Sequence, residues 1–267
     1  MRTIQLIVEY DGTTYSGWQI QRNARSIQDF LQDAVCTICN EKITLMGASR
    51  TDAGVHAAGQ MASFCTASQV PLESFLRGLP SLLPRDILIK AVFEAPSDFR
   101  VIQDAVGKKY TYLVLSDAVG SSLLRDRVWH VRRKLALKAM REAAKALLGT
   151  HDFSAFMANG SSVKTTERTI HALRIKASKK PPFGIHFCRT WGCLLEISFL
   201  GSGFLRNQIR NMVGTLVEIG EGKRDPASIK EILLSKKRHR AGVCAPAHGL
   251  YLIDIFYDES KLKKIRL

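Results

Sequence analysis

Residues 49–56 concentrate side chains that could do chemistry. They include Arg50, Asp52 and His56, and Gly54 stands two positions after the carboxylate. An ionised carboxylate can act as a nucleophile or as a general base. A nearby or distant arginine could keep it charged, and a glycine beside it allows a tight backbone path. The segment is therefore a candidate catalytic loop with Asp52 as its reactive group.

Other interpretations of these residue types remain open. Asp52 could sit in a hairpin turn and bond to its own backbone, as aspartates in turns commonly do. Asp52 and His56 could also bind a metal ion, although no third ligand stands close by. Cys36 and Cys39 form a C-x-x-C pair, but no second pair stands at zinc-ligand spacing and the pair falls inside a helical pattern. From local chemistry, the turn and the catalytic carboxylate are about equally supported.

The elements around the candidate loop indicate how it is held. Residues 43–48 and 60–65 have the composition of short strands, so the loop should connect two strands, where a rigid scaffold can present reactive groups. Ser26 is predicted to begin a helix, with Asp29 in the capping position three residues later. The first half is completed by further strands and a helix, predicted at residues 3–10, 71–79 and 87–93.

A similar order returns in the second half of the chain. Its strands and helices are predicted at residues 110–115, 135–148, 168–176, 194–200, 204–219 and 249–257, with Gly149 ending one helix and Asp225 capping another. This order predicts the α+β class, with two similar split-βαβ (ferredoxin-like) halves. We expect antiparallel sheets side by side, helices on one face and a cleft between the halves. The predicted halves are residues 1–105 and 106–267.

The charge of the chain indicates its partner. Lys and Arg total 39 and Asp and Glu total 24, which gives a formal net charge of +15. Such a charge favours a polyanion, with nucleic acid ahead of an anionic membrane surface, although it could serve only solubility. Two basic clusters are candidates for RNA backbone contact, at residues 125–134 and 236–240. We see no signal peptide and no apolar run of ~20 residues, so we predict a cytoplasmic protein with reduced thiols and no membrane partner.

Residues 50–56, Arg-Thr-Asp-Ala-Gly-Val-His, resemble the signature of the tRNA pseudouridine synthase A family. Other segments are similar to that family in the same order along the chain. Residues 109–112, Lys-Tyr-Thr-Tyr, resemble its basic-x-Tyr strand, with Lys109 where arginine is usual. The remaining similar segments are residues 9–19, 26–28, 204–214 and 245–252.

This resemblance implies an isomerase that converts uridine to pseudouridine on the 3′ side of the anticodon stem-loop of tRNA. It implies Asp52 as the catalytic carboxylate, which either attacks the nucleoside or removes a sugar proton. It implies substrate-binding roles for Tyr110, Arg210 and Arg50. Tyr110 would pack on the extruded base, Arg210 would lie beside the carboxylate, and Arg50 would help to flip the base, although Arg50 could instead only contact a phosphate. Tyr112 is more simply explained as a packing residue.

The reaction rearranges one nucleoside without redox change, so the resemblance implies no cofactor and no metal. It also implies a homodimer with one tRNA spanning both subunits. Two alternatives come from other functional classes. One is a non-catalytic RNA-binding protein on the same scaffold, which would need no carboxylate. The other is a metal-dependent nucleotide hydrolase that uses Asp52 and His56.

Overall fold

The structure is a computed structural model and describes residues 1–160, 163–179, 187–188 and 190–264. In chain order its strands and helices are β1 (Arg2–Tyr10), α1 (Ile27–Cys39), β2 (Met46–Gly47), β3 (His56–Thr66), α2 (Leu72–Leu82), β4 (Ile87–Ala95), β5 (Gly107–Ser116), β6 (Trp129–Val131), α3 (Leu137–Lys145), β7 (Gly149–Asp152), β8 (Glu167–Ser178), β9 (Cys193–Gly201), α4 (Gln208–Gly220), α5 (Ser228–Ser235), β10 (Leu250–Phe256) and α6 (Glu259–Lys264). The α+β class predicted from the sequence is confirmed.

The chain forms two compact units. The first contains residues 1–106 and 251–264, and the second contains residues 107–250. The sequence assigned everything after residue 105 to the second half, so the return of residues 251–264 to the first unit differs from that assignment. The reason is strand pairing, because Tyr251 and Leu252 of β10 lie in register with His56 and Ala57 of β3.

The sheet of the first unit runs in the order β4-β1-β3-β10, with β2 also paired to β3. Strand β1 is antiparallel to both of its neighbours, whereas β10 is parallel to β3. The parallel pair departs from the antiparallel sheet that we expected. It arises because β10 enters from the far end of the chain and not through a hairpin.

Helix α1 follows from local sequence as predicted. The Ser26 side chain accepts the backbone N–H of Asp29 at 3.3 Å, and the Asp29 carboxylate accepts the backbone N–H of Ser26 at 2.8 Å. This reciprocal pair satisfies N–H groups that have no partner within the helix. The helix ends at Cys39 and is capped by Asn40, which adopts the left-handed conformation with φ of 53°.

The segment 43–48 is mostly not a strand, contrary to the prediction. Met46–Gly47 pairs with β3 as a two-residue strand, and Ala48 adds one hydrogen bond from its N–H to the carbonyl of Met61 at 2.8 Å. Side chains of α1 bind the backbone just before it: Leu45 donates its N–H to Gln32 Oε1 at 3.1 Å, and its carbonyl accepts Nε2 of Gln28 at 2.7 Å. These backbone groups are therefore satisfied by the helix and not by a second strand.

The second unit contains the strands β5-β9-β8-β7 in that order, with β6 parallel to β5. Helix α3 ends at Lys145, so Gly149 does not end it as predicted but begins β7. The helix packs against α4 and β8. Helix α4 is almost wholly buried, but it begins at Gln208 and not at Phe204 as predicted. Asn207 has φ of 60°, and this left-handed residue interrupts the helical path before Gln208.

Asp225 caps a turn just before α5 and not the helix itself. Its carboxylate accepts the N–H of Ala227 at 2.7 Å, and its carbonyl accepts the N–H of Ser228 at 3.1 Å. Among the described residues, no helix has the length and apolar character needed to cross a membrane.

Candidate active site

Asp52 lies in a tight turn between β2 and β3. Its backbone carbonyl accepts the N–H of Val55 at 3.1 Å, and Gly54 has φ of +77°. That backbone conformation costs a glycine little and other residues more, so the predicted role of Gly54 is confirmed. The Asp52 side chain is partly buried, whereas Arg50 is exposed. The turn at Asp52 is thus held by a backbone hydrogen bond and by the backbone conformation of Gly54.

Gln60, fully buried in β3, fixes the entry to this loop. Its Nε2 donates to the carbonyl of Ser49 at 2.6 Å, and its Oε1 accepts the N–H of Ser49 at 3.2 Å. One amide side chain therefore satisfies both backbone groups of a residue three positions before Asp52. A glutamine with both ends bonded in the protein interior is costly to replace, because its partners would lose their hydrogen bonds.

Thr51 is anchored from the other side by two aromatic residues. Its hydroxyl is 2.7 Å from the hydroxyl of Tyr10, and its carbonyl accepts the N–H of Trp18 at 3.1 Å. Thr51 is buried next to the exposed Arg50. The backbone of the residue adjacent to Asp52 is therefore held by strand β1 and by the segment that follows it.

Two glycines of the segment 9–19 lie directly against the Asp52 turn. A Cβ atom on Gly12 would stand 2.0 Å from the carbonyl oxygen of Val55. A Cβ atom on Gly17 would stand 2.6 Å from the carbonyl oxygen of Thr51 and 3.0 Å from the carbonyl carbon of Asp52. Only glycine permits this approach of two backbone segments. The segment 9–19 therefore supports the turn that presents Asp52.

His56 is buried at the end of the turn and stacks on Tyr251, with ring centroids 4.7 Å apart. Its Nδ1 lies 3.1 Å from the N–H of Gly12 and 3.1 Å from a carboxylate oxygen of Asp11. One ring nitrogen cannot accept the Gly12 N–H and donate to Asp11 at the same time. His56 therefore connects the end of the turn to residues 11 and 12 of the segment 9–19.

Metal binding gains no support in the part of the chain that is described. No group of three or more His, Cys, Asp and Glu side chains stands together there. Cys39 is buried, which raises the pKa of its thiol, and the Cys36 sulfur lies 3.3 Å from the N–H of Ile43. The Cys39 side chain is thus enclosed by the fold, and the Cys36 sulfur contacts the backbone that follows α1.

Tyr110 and Tyr112 point to the same face of β5, and both are buried. The ring of Tyr110 meets Phe204 edge to face, with centroids 5.4 Å apart. Tyr112 is fully buried, donates its hydroxyl to the carbonyl of Pro246 at 2.7 Å, and packs on Gly249. Burial raises the pKa of Tyr112. Tyr112 is therefore a packing residue, as the sequence indicated.

Arg210 is held in a defined orientation on α4. Its Nε donates to the carbonyl of Ala245 at 2.7 Å, one terminal nitrogen donates to Asn207 Oδ1 at 3.1 Å, and its own carbonyl accepts the N–H of Ala245. A guanidinium has five N–H donors in a rigid fork, and these two bonds fix the orientation of the group. Arg210 is thus a fixed cation and not a freely moving surface arginine.

Two cations in the predicted RNA-binding clusters, Arg238 and Lys236, have partners inside the protein. Arg238 donates to the carbonyl of Gly242 at 3.0 Å and to Asn211 Oδ1 at 2.8 Å. Lys236 lies 3.0 Å from the carboxylate of Asp152. These two side chains stabilise the fold locally, and the sequence pattern did not reveal this.

Lys108 is a partly buried cation that the sequence analysis did not single out. It lies opposite Gly201 in β9, at the end of β5 that also contains Tyr110. Burial, and secondarily the charge of Arg168, lowers the pKa of Lys108 to about 8, and burial also lowers the pKa of Arg168. The pattern Lys108-Lys109 suggests only a basic strand, because alternation alone does not say which lysine is enclosed.

We expect Lys108→Met to be more stable than the wild type at pH 7, by ~1–2 kcal/mol after allowance for solvent at a partly exposed ammonium. A folded-state pKa of about 8 lies below the unfolded value, so protonation destabilises the folded state below pH 8. The stability advantage of Lys108→Met over the wild type should decrease as the pH rises from about 8 to the pKa of an unfolded-state lysine, near 10.4. Melting curves at pH 7 and pH 10 measure it. Lys109→Met is the control, and an equal gain in both variants would contradict the burial argument.

Comparisons with known proteins give relatives for nearly the whole chain. The model of a tRNA pseudouridine synthase family matches residues 6–103 and 143–258, which include Arg50, Asp52 and Arg210 but not Tyr110. The chain is 45% identical over 257 residues to tRNA pseudouridine synthase A of Acetivibrio thermocellus, covering 96% of this chain and 100% of the relative. It is 42% identical over 260 residues to the protein of that name from Citrifermentans bemidjiense, covering 97% and 99%. It is 43% identical over 259 residues to tRNA pseudouridine synthase A 2 of Clostridium tetani, covering 96% and 99%.

Proposed function

Because this chain belongs to the tRNA pseudouridine synthase family, we propose that it isomerises uridine to pseudouridine in the anticodon stem-loop of tRNA, with Asp52 as the catalytic carboxylate. The observation that supports this assignment is the turn around Asp52, whose backbone is fixed from several sides by buried side chains and close glycines. Such preorganisation is what a reacting group needs. A non-catalytic RNA-binding protein would need no carboxylate at this turn.

The proposed reaction balances within one nucleoside. The bond between N1 of uracil and C1′ of ribose breaks, the base turns, and a bond forms between C5 and C1′. The proton on C5 leaves to solvent and N1 gains a proton, so no oxidant, reductant or added group is required. Asp52 either attacks the nucleoside or removes a sugar proton, and both roles use the ionised carboxylate.

Each of the two units contributes further residues to the proposed substrate contacts. Arg50 is exposed beside Asp52 and could enter the space of the extruded base or hold a phosphate. In the second unit, Tyr110 offers an aromatic wall already oriented by Phe204, and Arg210 offers a cation held by Ala245 and Asn207. The proposal includes a homodimer that binds one tRNA across both subunits.

Release of tritium from tRNA labelled at uracil C5 tests the function directly. The wild type should release tritium without any added cofactor, and chelators should not change the rate. A wild-type protein that binds tRNA but releases no tritium would favour the non-catalytic alternative. Loss of activity on chelation would instead favour metal-dependent chemistry.

We expect Tyr110→Leu to lower kcat/KM for tRNA by ~10- to 100-fold, because stacking of a base on an aromatic ring contributes ~1–3 kcal/mol. Tyr112→Phe is the matched control on the same strand face. It removes only the hydroxyl bound to Pro246, so it should cost about 1 kcal/mol of stability and leave kcat/KM unchanged. Steady-state tritium release measures both variants. Full activity of Tyr110→Leu would exclude Tyr110 from the base-binding wall.

A further inference from the structure

Strand β8 has an outer edge that is covered over only part of its length. It pairs with β9 from Ile170 to Ser178, but with β7 only from Glu167 to Ile170. Within the described part of the chain, residues 171–178 therefore have strand pairing on one side alone. An open strand edge presents a row of backbone groups that can pair with another chain unless the protein prevents it.

A groove of about 450 Å³ lies along this open edge. It is lined by residues 173–177 of β8 together with Arg141 and Ala144 of α3. Three of the residues along the groove are cations, Arg141, Arg174 and Lys176, and all three are exposed. The acidic neighbour in register is Glu196, opposite Lys176 in β9. Positive charge therefore outweighs negative charge at the groove.

The positions of these cations disfavour an added strand as the occupant. Arg141 Nε donates to the carbonyl of Ile175 at 3.1 Å, so an edge acceptor that an incoming strand would use is already bound. Arg174 and Lys176 place charges along the same edge, which is a common way of preventing edge pairing. The outer edge of β8 is therefore unsuited to pairing with an added strand. It is also strongly basic.

The same cations suit a chain of phosphates. Residues two apart on a strand project to the same face about 7 Å apart, so Arg174 and Lys176 can each reach a different phosphate of one nucleic-acid strand. The Arg141 guanidinium retains N–H donors beyond the one bound to Ile175. Arginine and lysine at such positions contribute affinity and salt dependence without reading bases.

The groove is separate from the residue proposed to contact the base. Tyr110 lies opposite Phe199, and Phe199 lies opposite Leu173, so Leu173 is two strands away from Tyr110, roughly 10 Å. We propose that Arg141, Arg174 and Lys176 form a second RNA contact, which holds the tRNA phosphate backbone at a distance from the reacting base. This inference rests on the proposed tRNA function.

The test neutralises the two strand cations together, in Arg174→Gln/Lys176→Gln. At about 0.1 M salt the Kd for tRNA should rise by ~10-fold or more, and the slope of log Kd against log salt should fall by about 1 to 2. Tritium release at saturating tRNA should stay within about two-fold of the wild type, because the groove does not touch the reacting base. Equal Kd values and salt slopes for variant and wild type would overturn the proposal.

Two control variants test whether a loss of tRNA affinity comes from the groove itself or from the change in net charge. Arg174→Lys/Lys176→Arg keeps both charges and should retain wild-type affinity. Lys42→Gln/Lys90→Gln removes the same charge from exposed positions of the first unit and should change the Kd much less. An equal loss of affinity in both neutralised variants would assign the effect to net charge and overturn the groove.

The outcomes also separate this proposal from the catalytic one. A wild type without tritium release, whose tRNA affinity still falls on Arg174→Gln/Lys176→Gln, would refute the proposed function and support the groove. A variant that sediments as a smaller species while its tRNA binding is unchanged would show that the edge contacts a second copy of the chain, and the RNA proposal would fail.

Discussion

Replacing Asp52 with alanine or asparagine is expected to lower tritium release from tRNA by at least ~10³-fold, because the reacting group itself is lost. The Kd for tRNA should change by less than about 3-fold, since a carboxylate contributes little to holding a polyanion. Asparagine is the sharper variant. It keeps the size of the side chain, and the hydrogen bond from Val55 N–H to the residue 52 carbonyl does not depend on the carboxylate.

A matched control is available on α1. Asp33 is an exposed carboxylate that lies 3.2 Å from Arg25, and Asp33→Asn should leave tritium release unchanged. Wild-type activity in Asp52→Asn would refute the site assignment. A large rise in Kd with an unchanged melting temperature would mean that Asp52 organises the RNA-binding surface in addition to its chemistry.

Features set by neighbours in sequence could be predicted for this chain. The capping pair Ser26 and Asp29 is three residues apart, and the positive φ of Gly54 occurs where a tight turn calls for it. In each case the partners of the backbone groups lie within a few positions. Residue types and spacing therefore contain the necessary information.

Features set by distant contacts could not be predicted. The pairing of β10 with β3 joins residues almost 200 positions apart, and no local pattern distinguishes it from an antiparallel hairpin. The segment 43–48 has strand composition, but Gln28 and Gln32 of α1 bind its backbone first. Tertiary contacts overrode local preference at both places.

In the candidate site, too, the features set by neighbouring residues could be predicted and those set by distant contacts could not. Asp52 was singled out by its loop and by resemblance, and its catalytic role stays a prediction. The residues that hold its turn were missed as supports, because Gln60 in a strand looks like any polar position, and Gly12 and Gly17 look like ordinary loop glycines. Their role depends on which backbone they meet. One signal was present in the sequence, namely two glycines and a tryptophan close together after β1.

Gly17→Ala should lower kcat for tritium release by about 100-fold, the cost that a displacement of ~1 Å can impose on a reacting group. Gly17 has φ of +100°, and an added Cβ would stand 2.6 Å from the carbonyl oxygen of Thr51. The neighbouring atoms belong to backbone and cannot rotate away, so the Asp52 turn must move. We also expect a loss of ~1–3 kcal/mol in stability from the strained backbone.

Gly222→Ala is the control that distinguishes backbone strain at a positive φ from displacement of the Asp52 turn. Gly222 has φ of +76°, but nothing lies within 4 Å of an added Cβ, so alanine there should cost stability without changing kcat. Thermal melts and kcat at saturating tRNA compare the two variants. If Gly17→Ala melts no lower than Gly222→Ala and retains full kcat, contact with Gly17 does not position Asp52. If kcat falls while the Kd for tRNA is unchanged, the loss lies in the placement of the carboxylate, because RNA binding by surface cations does not require the turn to be correctly aligned.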